Sequence, residues 1–144
     1  MDQIRSIAIC VFRKDNKILA AEGYDPIKGE TFYRPLGGGI EFGEGSAETI
    51  CRELMEEIGF EVDRDSLKYL GAIENIFSFN GTPGHEIVLV YDGELKESGL
   101  YEQAMIVGKE ANGEDIRAMW KDLNEFAVGE SILYPTGLLE MLAK

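Results

Sequence analysis

The segment that most restricts the fold is a single amphipathic helix, predicted over 47–58, that follows a glycine-rich stretch. Ser46 is a suitable N-cap, and Gly59 suits the left-handed position just beyond a helix. At about 100° per residue, one face of this helix collects apolar side chains, namely Ala47, Ile50, Cys51, Leu54, Met55 and Ile58. Because this face must be covered, the rest of the chain has to supply a second layer of structure.

Strand-type segments stand on both sides of the helix and can supply that layer. They are rich in β-branched and apolar residues, and the predicted strands are 4–12, 18–21, 31–35, 40–42, 67–79, 86–95 and 115–120. A turn is predicted at 80–84 and a C-terminal helix over 137–143. The residues assigned to the core by default are Phe12, Phe32, Phe42 and Trp120. The sequence therefore predicts one α+β or α/β domain over residues 1–144, with a mixed sheet and two helices.

Charge is distributed unevenly along the chain and disfavours some functions. The 144 residues include 27 acidic and 14 basic side chains, which gives a net charge of -13. Nucleic-acid polymers and anionic membranes bind basic surfaces, so we expect neither as a partner. Six acidic residues and one basic residue fall within 38–60, and eight acidic and two basic residues fall within 85–115. A small anion held through a metal ion is compatible with this charge.

The chain is predicted to be cytoplasmic. Its longest apolar runs, 7–12 and 87–91, have the length of strands, whereas a membrane helix needs roughly 20 residues. The N-terminus shows no signal-peptide pattern. Cys10 and Cys51 are too few for a disulfide framework and lack metal-site spacing, which favours a reduced setting.

Three carboxylates share the polar face of the predicted helix. Glu53, Glu56 and Glu57 fall within about 100° of one another around the helix axis. Like charges at this spacing repel, and Arg52 offers the local positive charge. Carboxylates beside a glycine-rich turn suit a hard cation such as Mg²⁺ or Mn²⁺. An exposed acidic face with surface ion pairs gives the same pattern, and the spacing alone does not decide between the two interpretations.

Gly38, Glu44 and the run from Arg52 to Phe60 together resemble the Nudix box, the signature of the Nudix hydrolases (MutT-like), over 38–60. Five residues separate Gly38 from Glu44, and seven separate Glu44 from Arg52. Only Phe60 departs from the signature, because an aliphatic residue is usual there. The order of predicted strands and helices is similar to the Nudix fold, a mixed curved sheet flanked by helices in an α/β/α sandwich.

The resemblance implies hydrolysis of a nucleoside diphosphate linked to another group, with Mg²⁺ or Mn²⁺ as the cofactor. Carried over by position, Glu56 and Glu57 would bind the metal together with the backbone carbonyl of Gly37. Glu53 would be the leading general base and a further metal ligand. Glu57 stays open as the alternative base. Arg52 would orient Glu53.

Two further positions of the box, Gly38 and Glu44, would support the site in the turn before the helix. Among substrates the resemblance leaves open nucleoside triphosphates, including oxidised ones, ADP-ribose and nucleotide sugars. Homodimers are common in the family and are an expectation for this chain.

Five residues outside the box are further candidates for the site, and each also has an ordinary structural interpretation. Tyr33 and Arg34 precede the glycines and could reach a phosphate or a base. His85 is the only histidine and stands at the entry of a strand. Glu102 and Glu110 lie where some family members take a further glutamate from a late loop, and nothing in the sequence selects either one.

Two other functions compete with catalysis. A non-catalytic Nudix-like module would bind a nucleotide to sense or regulate, and an acidic interaction domain would use its charge for solubility. The complete box favours the enzyme, because non-catalytic modules usually have a degraded box.

Overall fold

The first strand, β1 (Ile4–Lys14), lies at the centre of the fold because it is apolar on both of its faces. The computed structural model describes residues 2–143. In it, the side chains of β1 alternate between two cores. Ala8, Cys10 and Phe12 enter one core, and the intervening residues Ile7, Ile9 and Val11 enter the other. This alternation is the two-residue period of a strand buried on both faces. The strand predicted over 4–12 is confirmed and extends two residues further.

The sheet is mixed and has eight strands. The remaining strands are β2 (Lys17–Asp25), β3 (Glu30–Arg34), β4 (Leu36–Gly39), β5 (Val62–Phe79), β6 (Thr82–Leu95), β7 (Met105–Lys109) and β8 (Asp115–Asp122). Their order is β5-β6-β1-β2-β8-β7, with β3 paired to β2 and β4 paired to β1. Only the β1–β6 pair is parallel among the named strand pairs. The predicted mixed sheet is confirmed.

Helices cover both faces of the sheet, which gives the predicted sandwich. The long helix α1 (Ser46–Ile58) packs on the core that contains Phe12. Two short helices, α2 (Leu123–Ala127) and α3 (Leu138–Leu142), pack on the opposite core. A 3₁₀ turn also spans Ser98–Glu102. None of the helices in residues 2–143 has the length and apolar character that crossing a bilayer requires.

The C-terminal end of α1 agrees with the prediction, and the N-terminal end differs from it. Gly59 adopts the predicted left-handed conformation with φ 74, and its N–H bonds to the Met55 carbonyl. The N-cap is Gly45 rather than Ser46, so the prediction of a serine cap is wrong. The Ser46 hydroxyl is instead 2.6 Å from the hydroxyl of Tyr91, which ties the first turn of α1 to β6.

Several predictions of burial and strand position around the glycines are also wrong. The short strand is β4 rather than 40–42, because the backbone of β4 pairs with Ile7–Cys10 of β1. Phe42 therefore lies in an open turn and is fully exposed, and Met55 is 47% exposed on the outer side of α1. Phe32 and Trp120 are half-buried, and the Trp120 ring stacks on Tyr101 at 5.2 Å.

The β5–β6 hairpin is longer than predicted. The turn consists of Asn80 and Gly81, both with positive φ, and Thr82 already belongs to β6. This agrees with the two-residue hairpin turns that an Asn-Gly pair favours. The two strands thus run side by side to the edge of the cavity described below.

Candidate active site

A cavity of about 520 Å³ is lined by residues of both cores, with Leu36 from the core below α1 and Ile7 and Ile9 from the opposite core. Its floor includes Ile7, Ile9 and Val88 from the centre of the sheet. One end is formed by the glycines of β4 and by Glu57 from the last turn of α1. A cavity of this size can hold a small organic ligand.

Arg52 organises the carboxylates of the Nudix-box segment. Its Nε donates to Glu44 Oε2 at 2.8 Å, and its Nη1 donates to Glu53 Oε1 at 3.0 Å and to Glu56 Oε1 at 3.2 Å. Its Nη2 donates to the Gly39 carbonyl at 2.9 Å. A guanidinium carries five N–H donors in a fixed plane, so one arginine can bind several oxygens at once. The predicted contact between Arg52 and Glu53 is present.

Glu44 is the strongest anchor of Arg52. Its Oε1 also accepts a hydrogen bond from the buried Thr49 hydroxyl at 2.6 Å. The hydrogen bonds from Arg52 and then from Thr49 lower the pKa of Glu44 to about 2. Glu44 therefore stays ionised over the whole physiological pH range. It holds the turn before α1 against the side chains of Thr49 and Arg52 in that helix.

Gly38 allows α1 to approach β4 closely. A Cβ atom at this position would overlap the carboxyl group of Glu53. The absence of a side chain therefore leaves room for Glu53, which is 18% exposed and lies against the backbone of β4.

Glu57 occupies the least favourable environment for a charge in this region. Its Oε1 is buried and has no hydrogen-bond partner among residues 2–143. Burial and then the charge of Glu53 raise the pKa of Glu57 to about 8, while Arg34 and the N–H of Gly37 act in the opposite direction. A buried carboxylate oxygen without a donor is costly, and a cation would satisfy it.

The three carboxylates of the helix divide between two environments. Glu53 and Glu57 lie on the side of β4 and the cavity, whereas Glu56 is 58% exposed and is paired with Arg52. Within residues 2–143, no group of three or more His, Cys, Asp or Glu side chains is arranged to hold a metal ion. Arg52 Nη1 bonds to both Glu53 and Glu56, and the charge of Glu53 acts on Glu57, so the three carboxylates are neighbours while only Glu57 is deeply buried.

Arg34 and Glu110 join Glu57 in the cavity. Arg34 ends β3, and Glu110 follows β7 in the late loop. Their charges act on the Glu57 carboxyl in opposite directions, since Arg34 lowers its pKa and Glu110 raises it. Of the two late-loop glutamates that the sequence left open, Glu110 lines the cavity and Glu102 does not.

Three other sequence candidates lie outside this cavity. Tyr33 neighbours Arg34 in β3 and therefore points to the opposite face of that strand, where it packs beside Phe126 and its hydroxyl donates to Glu22 at 3.0 Å. His85 is 2.9 Å from Glu74 on the outer face of the β5–β6 pair. Glu102 is 81% exposed and lies 3.7 Å from Lys14.

The sequence did not single out the polar residues at the other end of the cavity. Arg5, Asn75 and Glu86 line it there, from three different strands. Glu86 neighbours His85, which drew attention as the only histidine. The available signal was the charged Glu86 just before the apolar run of β6, where strand alternation puts it on the face of Val88.

Comparison with known proteins defines the class to which this fold and site belong. The family model of the NUDIX domain matches residues 2–136, and the chain therefore belongs to the Nudix hydrolase family. This confirms the resemblance carried by the box at 38–60.

Solved structures share the fold at low sequence identity. A NUDIX hydrolase from Nitrosomonas europaea is 14% identical with a TM-score of 0.66, over 98% of this chain and 87% of that one. A MutT NUDIX hydrolase from Burkholderia pseudomallei is 19% identical with a TM-score of 0.63, over 97% and 95% of the two chains. An ADP compounds hydrolase is 18% identical with a TM-score of 0.56, over 88% and 63%.

Proposed function

We propose that this Nudix protein hydrolyses a phosphoric anhydride bond in a small nucleoside diphosphate derivative, with Mg²⁺ or Mn²⁺ as cofactor. The observation that carries the proposal is the buried, unpartnered Oε1 of Glu57 at the end of a cavity that also contains Arg34. A buried carboxyl group beside a cationic side chain suits a site for a cation and a phosphate together. The name of one structural neighbour, ADP compounds hydrolase, agrees with this substrate class.

The cation would be held by Glu57, with Glu53, Glu56 and the backbone carbonyl of Gly37 as the further oxygen donors. Carboxylate and carbonyl oxygens are the donors that Mg²⁺ and Mn²⁺ prefer. A bound divalent cation supplies charge neutralisation for the phosphates and activation for the attacking water.

The protein's own side chains divide the remaining work. Arg34 would bind a phosphate oxygen and hold the scissile group near α1. Glu53 would take the proton of the attacking water, since Arg52 fixes its carboxylate at 3.0 Å. Glu57 is the alternative base, and Glu110 would act on the same side of the cavity.

The first test is an assay of a nucleotide panel with Mg²⁺, in which the phosphorus-containing products are identified. The panel contains nucleoside triphosphates, including oxidised ones, ADP-ribose and nucleotide sugars. We expect at least one substrate to be cleaved at a phosphoric anhydride bond, only with the metal present. Tight nucleotide binding without products would contradict catalysis and would indicate the non-catalytic module instead.

A further inference from the structure

The end of the cavity remote from Glu57 has a row of polar side chains across three strands. Arg5 of β1 pairs in register with Glu86 of β6, and Glu86 pairs in register with Asn75 of β5. Side chains of paired residues point to the same face of a sheet and stand about 5 Å apart. The row therefore presents three groups side by side in the cavity, namely the donor of Arg5, the acceptor of Glu86 and the amide of Asn75.

Glu86 is the buried member of this row and is poorly satisfied by the protein. It is 7% exposed. Among the hydrogen bonds formed by residues 2–143, its carboxylate accepts one, from Arg5 Nη1 at 3.5 Å, which is at the limit of a useful distance. Arg5 itself is 60% exposed, so solvent weakens the pair. A buried carboxylate with only one long hydrogen bond is stabilised when a ligand supplies further N–H donors.

Aromatic rings wall the cavity beside this row. Phe77 lies over Gly84, where a Cβ atom would overlap the ring. Phe32 contacts Phe79 edge-on at 6.0 Å and Tyr134 at 5.3 Å. All four aromatic residues line the cavity. Aromatic walls around a polar row suit a flat, heteroaromatic group that stacks while its edge is hydrogen-bonded.

We propose that Glu86 determines substrate specificity by accepting a hydrogen bond from the exocyclic amino group of a nucleobase. The proposal rests on the nucleotide substrate proposed above and specifies its base. An amino group donates to a carboxylate, whereas a carbonyl oxygen in the same place would face it with a second set of lone pairs. Arg5 and Asn75 supply donors for the acceptor atoms that adjoin the amino group on the base edge.

The row is connected to the phosphate end of the site through the glycine-rich strand β4. Arg5 reaches the glycine-rich strand, since a Cβ atom on Gly39 would lie 3.2 Å from its Nη2. Gly37, two residues earlier in β4, lines the same cavity at its Glu57 end. One continuous cavity thus connects the base row with the carboxylates of α1.

The test compares nucleotides that differ by one amino group. Dissociation constants are measured by calorimetry, without metal, for guanosine and adenosine monophosphates against inosine monophosphate, and for cytidine against uridine monophosphate. We expect the amino-bearing member of at least one pair to bind about tenfold or more tightly than the other member. A site built to accept a hydrogen bond from an amino group binds an analogue without that group poorly. The pair with the largest ratio identifies the base.

Glu86→Gln tests the residue directly. The amide offers both a donor and an acceptor, so the preference for the amino-bearing member should fall to about twofold or less. Glu74→Gln, on an exposed side chain that faces away from the cavity, should keep the wild-type preference. Wild-type affinities within twofold in every pair, or an unchanged preference in Glu86→Gln, would overturn the proposal.

Hydrolysis of the corresponding triphosphates with Mg²⁺ separates this inference from the proposed function. Cleavage of both members of every pair at equal kcat/KM would support the proposed hydrolase and would refute the proposal that Glu86 recognises the base. Selective binding without cleavage of any nucleotide would refute the hydrolase and retain the base site.

Discussion

Glu44 and Glu57 are residues of one type, but their surroundings move their pKa values in opposite directions. Arg52 and Thr49 lower the pKa of Glu44 to about 2, and burial raises the pKa of Glu57 to about 8. Hydrogen-bond donors thus favour the charged form of Glu44, and desolvation disfavours the charged form of Glu57. Paired environments of this kind separate a structural carboxylate from one available for a cation or a proton.

The raised pKa of Glu57 predicts how the stability of the metal-free protein depends on pH. The folded protein holds a proton that the unfolded chain releases near 4.5, so the folded state is favoured below that pH. This contribution is lost as the pH rises to about 8. We therefore expect the free energy of unfolding of the wild type to fall, relative to that of Glu57→Gln, by on the order of a few kcal/mol between pH 4.5 and about 8. Urea unfolding in the presence of a chelator measures this difference.

The comparison with Glu57→Gln isolates one group, because all other carboxylates titrate in both proteins. Glu48→Gln is the matched control, since Glu48 is an exposed glutamate in the first turn of the same helix. Its unfolding free energy should run parallel to that of the wild type. Parallel curves for Glu57→Gln as well would contradict the buried environment of Glu57.

Gly38→Ala is expected to impair catalysis more than folding. The added methyl group overlaps the end of the Glu53 side chain, which can move aside without moving the backbone. A displaced carboxylate about 1 Å from its working position can lower turnover on the order of a hundredfold. Turnover with the best substrate of the panel measures this effect.

Gly45→Ala is the control for Gly38→Ala. At this position the new methyl group would meet only the flexible end of Glu48, at 3.1 Å. Both variants should unfold within about 1 kcal/mol of the wild type, as substitutions without buried backbone conflict usually do. Full turnover in Gly38→Ala would show that the place of Glu53 against β4 is unimportant.

At the level of elements, α1 is fixed by its apolar face and by one close contact at its end. Ile50, Leu54 and Ile58 are buried in the core below it. Gly108 of β7 lies so near the last turn that a Cβ atom would overlap the Glu57 carbonyl oxygen. β7 therefore supports the turn that carries Glu57, although the two are far apart in the sequence.

Gly108→Ala should destabilise the protein, because the overlap involves backbone on both sides and a side chain cannot relieve it. We expect a loss of about 1–3 kcal/mol in urea unfolding, the usual range for overpacking. Gly99→Ala, where a Cβ atom meets nothing within 4 Å, should cost far less. Equal stability of the two variants would contradict the close contact between β7 and α1.

Local patterns in the sequence predicted most elements but not what covers them. The period of α1, the left-handed Gly59 and the apolar β1 are properties of short segments, so they could be predicted. The exposure of Phe42 and Met55 could not, since burial depends on which strands pair and which surface α1 covers. Strand β4 was misplaced for the same reason, because its bounds follow from pairing with β1.

At the level of the whole molecule, the sequence predicted one end of the cavity and not the other. The end at α1 comes from one continuous segment with a recognisable spacing. The other end combines Arg5, Asn75 and Glu86, and only the register of β1, β6 and β5 brings these together. Long-range register is not encoded in any local pattern, so a site built from it becomes visible only in the fold.

We propose that Glu57 makes this Nudix protein a metal-dependent hydrolase. The most direct measurement is the rate of substrate cleavage as Mg²⁺ is titrated into the wild type, Glu57→Gln and Glu48→Gln. We predict saturable activation in the wild type and in Glu48→Gln, and a loss of at least about a hundredfold in the folded Glu57→Gln protein. Equal Mg²⁺-dependent rates in wild type and Glu57→Gln would contradict the claim.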